Sequence, residues 1–467
     1  MATFSAGSIA AVAPPARTGV VPAGAAAAPP GAAAPPPARS SVRAQRHADG
    51  QAQAPAHAPA RSWGRTVLQY TPLLAVTVLA KLSLPPLGAM GLGADVPILV
   101  LATAWGLASG LLRVHRERLM MYLAMLAWLG CTQLFRDAPF SPASLLLLAA
   151  LFLPLTLRLR PERGSVQRLA GAPPLARALQ RMVDLAALFA ALGVLQFALQ
   201  HALGTRLAYP VEHFVPPAWL IQKFNTLIPL DYGSTTLKSN GVFFLEPSFF
   251  SQFMALGLLL ELSLRSRPLR VLLLVAGLAV SYSGTGLIVA GVGLLGLVVV
   301  KGRWDLLLVG ALVVLALVLL DDLLPLQPLL RRTSEFQSAH SSGSARFVAW
   351  VDMFDRQWWP EPARVLFGAG AGSFARHAAV ARQATAEMSF SKMLFEYGVT
   401  GAVLFFGFLV AAMNSVRAPL AFRLGLCTTL LVNGAFVAFP VGIAASVLLW
   451  PARAARPSST HRKRPTP

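Results

Sequence analysis

Cysteine is nearly absent from this chain, and acidic residues are scarce beside basic ones. Only two of the 467 residues are cysteines, and there are 19 acids against 40 lysines and arginines. Cys131 and Cys427 both fall inside apolar runs, so neither a disulfide framework nor a cysteine metal site is supported. Charge of either sign makes up 13% of the chain while hydrophobic residues make up 55%, a balance that leaves a soluble protein too little polar surface. The shortage of acid leaves a net charge of +21 and a pI near 11.4. Nucleic acid is not the implied partner, because the excess charge sits in short loops beside apolar runs and forms no continuous basic face.

What the chain has in abundance is apolar segments near the length of about 20 residues that a spanning helix needs. Spans are expected over 67–84, 92–112, 119–134, 143–157, 182–203, 247–264, 271–281, 286–300, 306–320 and 393–413. Residues 425–450 are too long for one crossing, and two short ones broken near Pro440 bring the expected total to 12. Counting loops alternately puts 27 of the 40 basic residues on one side with four acids (Asp49, Glu117, Glu162, Asp305), a net of +23. The opposite loops hold 11 basic and 11 acidic residues and sum to zero. Basic loops stay cytoplasmic during insertion, so both termini are expected inside. The fold class is therefore an all-α, polytopic membrane bundle over residues 65–452, with a basic cytoplasmic tail over 453–467.

Residues 1–64, rich in Ala, Pro, Gly and Arg, hold hardly any large apolar side chain and are read as a disordered cytoplasmic tail. No basic start followed closely by an apolar stretch, as a signal peptide requires, occurs before Val67. Two long connections remain, over 204–246 and 321–390, both on the electrically balanced outer side. Connections this long are commonly functional, which directs attention to the outer membrane face.

Several short motifs lie in and beside those loops. Lys238-Ser-Asn-Gly-Val-Phe-Phe-Leu-Glu-Pro-Ser248 leads into a span, and Ser281-Tyr-Ser-Gly-Thr-Gly-Leu287 forms the next outer turn. Gly343-Ser-Ala-Arg346 is followed by Trp350 and by Leu366-Phe-Gly-Ala-Gly-Ala-Gly-Ser-Phe374, and Leu394-Phe-Glu-Tyr-Gly398 with Gly401 opens the span after the large loop. In order and spacing, over roughly 230–415, this series resembles the bacterial O-antigen polymerase and O-antigen ligase membrane family, the Wzy type. Lysine stands at 238 where relatives often carry arginine. The histidine that ligases place shortly before Leu-x-Glu-x-Gly is missing, and by rough register Glu387 stands there. The resemblance is therefore to the exopolysaccharide or capsule polymerase branch. It implies a GT-C-like glycosyltransferase that joins oligosaccharide repeats carried on undecaprenyl pyrophosphate at the periplasmic face of the inner membrane. It implies no metal, nucleotide sugar or other cofactor, no nucleic acid, and as partners membrane lipid, a flippase and a chain-length regulator. Ligation of glycan to lipid A core or protein is the alternative in the same class, and transport or flipping of polysaccharide the alternative in another.

Transfer from a pyrophosphate carrier creates negative charge on the leaving group, and the planar, permanently charged guanidinium suits it. Arg331, Arg332, Arg346, Arg356, Arg364, Arg376 and Arg382 all fall in the large outer loop, and Lys238 stands at the mouth of the other. Arg346 carries the motif and is the expected catalytic cation; Arg331, Arg332, Arg356, Arg364, Lys238 and Trp350 are expected to bind substrate. The bland reading pairs these arginines with Glu335, Asp352, Asp355 and Glu361 as a solvated surface. Candidates to take the acceptor proton are Glu246, Glu387, His340 and Glu396. Glu246 precedes Pro247 and serves equally well as a helix cap; Glu396 serves equally well as a tie to Lys392, one turn earlier. The Gly368–Gly372 run reads as a turn or a close backbone approach to substrate. Trp358 and Trp359 read as interfacial aromatics. Acids inside the earlier spans (Asp95, Asp184, Glu261) lie near span ends, which argues against a transporter with midplane charges.

Overall fold

The computed structural model describes residues 58–85, 91–134, 140–160, 174–222, 224–230, 233–305, 342–381, 385–434 and 437–451. The expected span over 306–320, Arg331, Arg332, His340, Arg382 and nearly all of both tails lie outside the described residues. What is described is mostly helical. Helix α1 covers Ala58–Val78 and so begins inside the segment read as a tail. It is followed by α2 (Asp95–Ala108), strand β1 (Leu112–Val114), α3 (Arg116–Leu134) and α4 (Pro142–Phe152). A 3-10 turn then leads to strand β2 (Leu157–Leu159) and the long α5 (Pro174–Leu203). The connection over 204–246 carries α6 (Thr205–Ala208) and α7 (Pro210–Phe214), and beyond it come α8 (Pro247–Leu264), α9 (Pro268–Val280) and α10 (Gly284–Lys301). The described part of the large loop is helical too, as α11 (Ser342–Phe347), α12 (Ala349–Gln357), α13 (Pro362–Phe367) and α14 (Ser373–Ala379). Helices α15 (Ser389–Asn414), α16 (Leu420–Val432) and α17 (Ala438–Ile443, continued by a π turn to Leu449) close the chain.

Proline marks many of the starts. Helices α4, α8, α9 and α13 begin on Pro142, Pro247, Pro268 and Pro362, where a missing N–H costs nothing and the fixed φ favours the helix. Among the described residues, α5, α8 and α15 are long and apolar enough to cross a membrane; α2, α4 with its 3-10 extension, α9, α10, α16 and α17 with its π turn are shorter apolar helices. Helix α8 is mostly apolar and buried on every face from Pro247 to Glu261, as expected of a helix at the centre of a bundle. It packs against α5, α9, α10 and α16. Small residues let the backbones close up: a Cβ on Gly257 would stand 2.5 Å from Ala186 Cβ, and one on Gly286 would stand 2.6 Å from Ser251. The last apolar stretch does form two short helices. The first ends at Val432 and the second begins at Ala438, ahead of Pro440, which lies harmlessly in the first turn of α17.

The described parts of the two long connections are anchored rather than loose. Lys81, buried at the end of α1, donates to Glu212 at 2.5 Å, and Asn240 Nδ2 donates to the same Glu212 oxygen at 2.8 Å. Gln196 on α5 donates to Asn240 Oδ1 at 3.0 Å, tying the first loop to two helices. In the second loop Met353, Phe354, Trp358, Ala369 and Phe374 pack with Phe395 of α15 into a separate small core. Trp358 is thus a core residue and not an interfacial one, while Trp359 is exposed.

The glycine turn approaches its own chain. Gly398 leaves helical geometry at φ 69°, which opens α15 and leaves carbonyls without their helical partners. Ala369 N–H and Gly370 N–H take the carbonyls of Phe395 and Glu396 at 2.7 and 3.0 Å. A Cβ on Gly368 would stand 2.2 Å from the Glu396 backbone, so this crossing of two main chains requires glycine.

Candidate functional site

One cavity of about 650 Å³ gathers residues from across the chain, and Glu246, Arg346 and Glu387 all line it. Its walls are helix ends: Ala80 just after α1; Asp95 at the start of α2; Ala143 and Ser144 of α4; Ser248 and Phe249 of α8; Lys392 of α15; Val432 of α16; and Ala438 of α17. All seven ends belong to the side that the loop charges read as outer. Most of the remaining lining is apolar, including Leu92, Leu147, Ile221, Phe224, Leu245 and Val437. A mostly apolar hollow with a few convergent polar groups is the form expected of a ligand site.

The polar groups are arranged as two ion pairs. Arg346, on α11, donates through Nη2 to Glu246 Oε2 at 3.0 Å, with the two side chains 26% and 10% exposed. Glu246 also accepts from Ser248 Oγ at 3.0 Å and from Asn225 N–H at 3.3 Å. It stands at the cap position of α8 but makes no capping bond, so its side chain serves the arginine and not the helix. The second pair is Lys392 with Glu387, and Lys392 reaches Glu396 as well at 2.9 Å. Glu396 accepts from Phe374 N–H at 3.2 Å and is fully buried; it holds Lys392 from behind while Glu387 faces the cavity. The expected tie between Glu396 and Lys392 is therefore present.

Several polar residues of the cavity, Asp95 and Asn433 among them, were not singled out as site residues from the sequence. Asp95 is buried in the wall, and its recorded hydrogen bond is from the adjoining Val96 N–H at 3.0 Å; it belongs to no ion pair among the described residues. The loop that carries it is pinned, with Ala94 N–H on the Leu82 carbonyl at 2.7 Å and Ser83 Oγ on the Leu92 carbonyl at 2.6 Å. A Cβ on Gly93 would stand 2.5 Å from Asp95 Oδ1, so glycine makes room for the carboxyl. Asn433 lies just after α16, and its Nδ2 is buried without a hydrogen-bond partner among the described residues. Both residues look like ordinary helix-end residues in the sequence; what marks them is the convergence of helix ends, which no local spacing records.

The other expected binding residues lie elsewhere. Trp350 does not line the cavity: it packs edge-on against Phe354 and Phe390 with centroids 5.0 and 5.2 Å away, bracing the helix that follows Arg346. Arg356 pairs with Asp352 at 2.7 Å and Arg364 with Glu361 at 2.5 Å, both at the surface, as the solvated reading of those arginines requires. Lys238 is buried under the first loop, its carbonyl accepting from Tyr209 Oη at 3.1 Å, and it does not line the cavity. Comparison with protein-family models, curated proteins and solved structures finds no match for the chain.

Proposed function

We propose that the protein is an inner-membrane glycosyltransferase of about 12 crossings and GT-C-like type. It extends glycan by joining oligosaccharide repeats carried on undecaprenyl pyrophosphate at the periplasmic face. The observation that supports this reading best is the pairing of Arg346 with Glu246 in a mostly apolar cavity at the outer helix ends. An apolar hollow at that level accepts a polyprenyl chain, and the cations beside it accept its pyrophosphate.

In this reading the guanidinium of Arg346 is held in place by Glu246 through one nitrogen and offers the others to phosphate oxygens. The acceptor hydroxyl oxygen forms the new bond to the anomeric carbon while the bond from that carbon to the pyrophosphate oxygen breaks. The pyrophosphate leaves with the electron pair, against Arg346 and Lys392. The hydroxyl proton needs a carboxylate. Glu246 and Glu387 are each engaged with a cation, whereas Asp95 is in no ion pair among the described residues, so Asp95 is the best proton acceptor in the cavity.

Deleting the gene in its source organism tests the reading. The expected result is accumulation of lipid-linked single repeats with loss of long glycan. Normal polymer that fails only to reach lipid A would establish ligation, and normal glycan with altered uptake would establish transport.

A further inference from the structure

Strands β1 and β2 form an antiparallel hairpin on the basic side of the chain, and the register sets Arg113 directly opposite Arg158. Like charges at such a position repel, and the sheet analogue of helix pairing places a carboxylate there instead. Here the backbone prevents the two from moving apart. His115 N–H holds the Thr156 carbonyl at 2.8 Å, Arg160 N–H holds the Leu111 carbonyl at 2.8 Å, and Leu159 N–H is fixed to the Trp450 carbonyl at 2.9 Å. Arg118 adds a further fixed charge, buried and bonded through its guanidinium to Ser415 Oγ at 2.9 Å and to the Leu155 and Leu157 carbonyls.

No ion pair among the described residues neutralises this cluster, and Glu117 acts on it only through space. Arg113, Arg158 and His115 belong to no ion pair among the described residues; Arg113 Nε, Arg158 Nε and His115 Nδ1 are shielded from solvent and have no hydrogen-bond partner. Burial, and then the neighbouring Arg113, hold Arg158 below the ordinary arginine range against the opposing pull of Glu117. Burial, and then Arg118 and Arg158, do the same to His115, with only Glu117 opposing. Buried donors without partners on a rigid scaffold are the signature of a site completed by something from outside. The environment at this place supplies apolar contact as well: Leu107 of α2 and Met120 of α3, which flank the hairpin, are exposed. A soluble anion has no use for them.

We propose that the β1–β2 hairpin is a binding site for an anionic phospholipid, whose phosphate sits between Arg113 and Arg158 while its acyl chains lie along the flanking helices. The inference rests on the membrane reading of the chain and is independent of the chemistry at the cavity. A phosphate oxygen there answers both guanidinium groups, and negative lipids are attracted to basic segments at the inner leaflet.

The test uses the full chain, purified and reconstituted into bilayers of phosphatidylcholine alone or with phosphatidylglycerol, and reads thermal unfolding. Phosphatidylglycerol is expected to raise the midpoint of the wild type by about 3 °C or more, and to leave the Arg113→Gln/Arg158→Gln double variant unmoved. In phosphatidylcholine alone the variant is expected to be at least as stable as the wild type, because the repulsion is gone. An equal response of variant and wild type to phosphatidylglycerol would overturn the proposal, as would no response of either. Equal stabilisation of the wild type by inorganic phosphate in phosphatidylcholine would assign the site to a free anion and overturn the lipid assignment. Loss of the variant from the membrane would give the arginines to the fold, and would overturn it too.

Discussion

Two clusters of cations in this molecule are treated in opposite ways. Each cation that lines the cavity has a carboxylate, Arg346 with Glu246 and Lys392 with Glu387 and Glu396, and Lys81, outside the lining, has Glu212. At the β1–β2 hairpin, Arg113 and Arg158 face each other and neither belongs to an ion pair among the described residues. The first arrangement fixes side chains in advance, so that a charged ligand meets a site already formed. The second leaves two arginines opposed without an ion pair, as the proposed lipid site requires. The same contrast was visible as an imbalance of loop charge, +23 against zero, but the sequence alone did not say which cations were held and which were open.

Breaking the held side has the largest expected effects. Arg346→Ala abolishes long glycan, and Arg346→Lys, which keeps charge but loses the fork, impairs it severely; both proteins insert at wild-type level, as read by immunoblot of membranes beside glycan length. Asp95→Asn lowers the rate of extension by about 100-fold or more, with membrane abundance unchanged, in an assay that feeds membranes with lipid-linked repeats extracted from a deletion strain. A rate equal to wild type would return the proton to Glu387 or to water. Glu212→Ala leaves Lys81 buried and unpaired, and destabilises the protein by about 3–5 kcal/mol, seen as loss of folded protein on heating. Arg356→Ala removes only an exposed pair to Asp352, one helical turn earlier; it changes stability by about 0.5 kcal/mol or less, and glycan length not at all.

Much of the framework was legible because it is written in runs: helices α8, α9, α10 and α15 lie within a few residues of the apolar segments that predict them. Glu246, Arg346 and Glu387 were legible one by one through motif order, and the cavity joins them across 100 residues and more of chain. Other features have no such record. Strands of three residues, Leu112–Val114 and Leu157–Leu159, are too short to show a period, so the hairpin and its opposed arginines were read as plain loops. The glycine turn announced an approach of backbone to something, and the partner proved to be the opened turn of α15 at Gly398. Asp95 and Asn433 are ordinary at the level of spacing and become distinctive only when seven helix ends meet. Arg356 and Arg364 matched the expected chemistry in residue type, yet each is held by an acid in its own helix or beside it.

The claim that the cavity receives the carrier pyrophosphate is tested most directly by binding. Purified wild-type chain, Arg346→Ala and Arg113→Gln/Arg158→Gln are each titrated with undecaprenyl pyrophosphate lacking any glycan, and binding is read by native mass spectrometry. The account predicts that the wild type and the hairpin variant bind it with equal affinity and that Arg346→Ala loses about tenfold or more, the weight of a charge-assisted contact. Undiminished binding by Arg346→Ala, with loss in the hairpin variant instead, would contradict it.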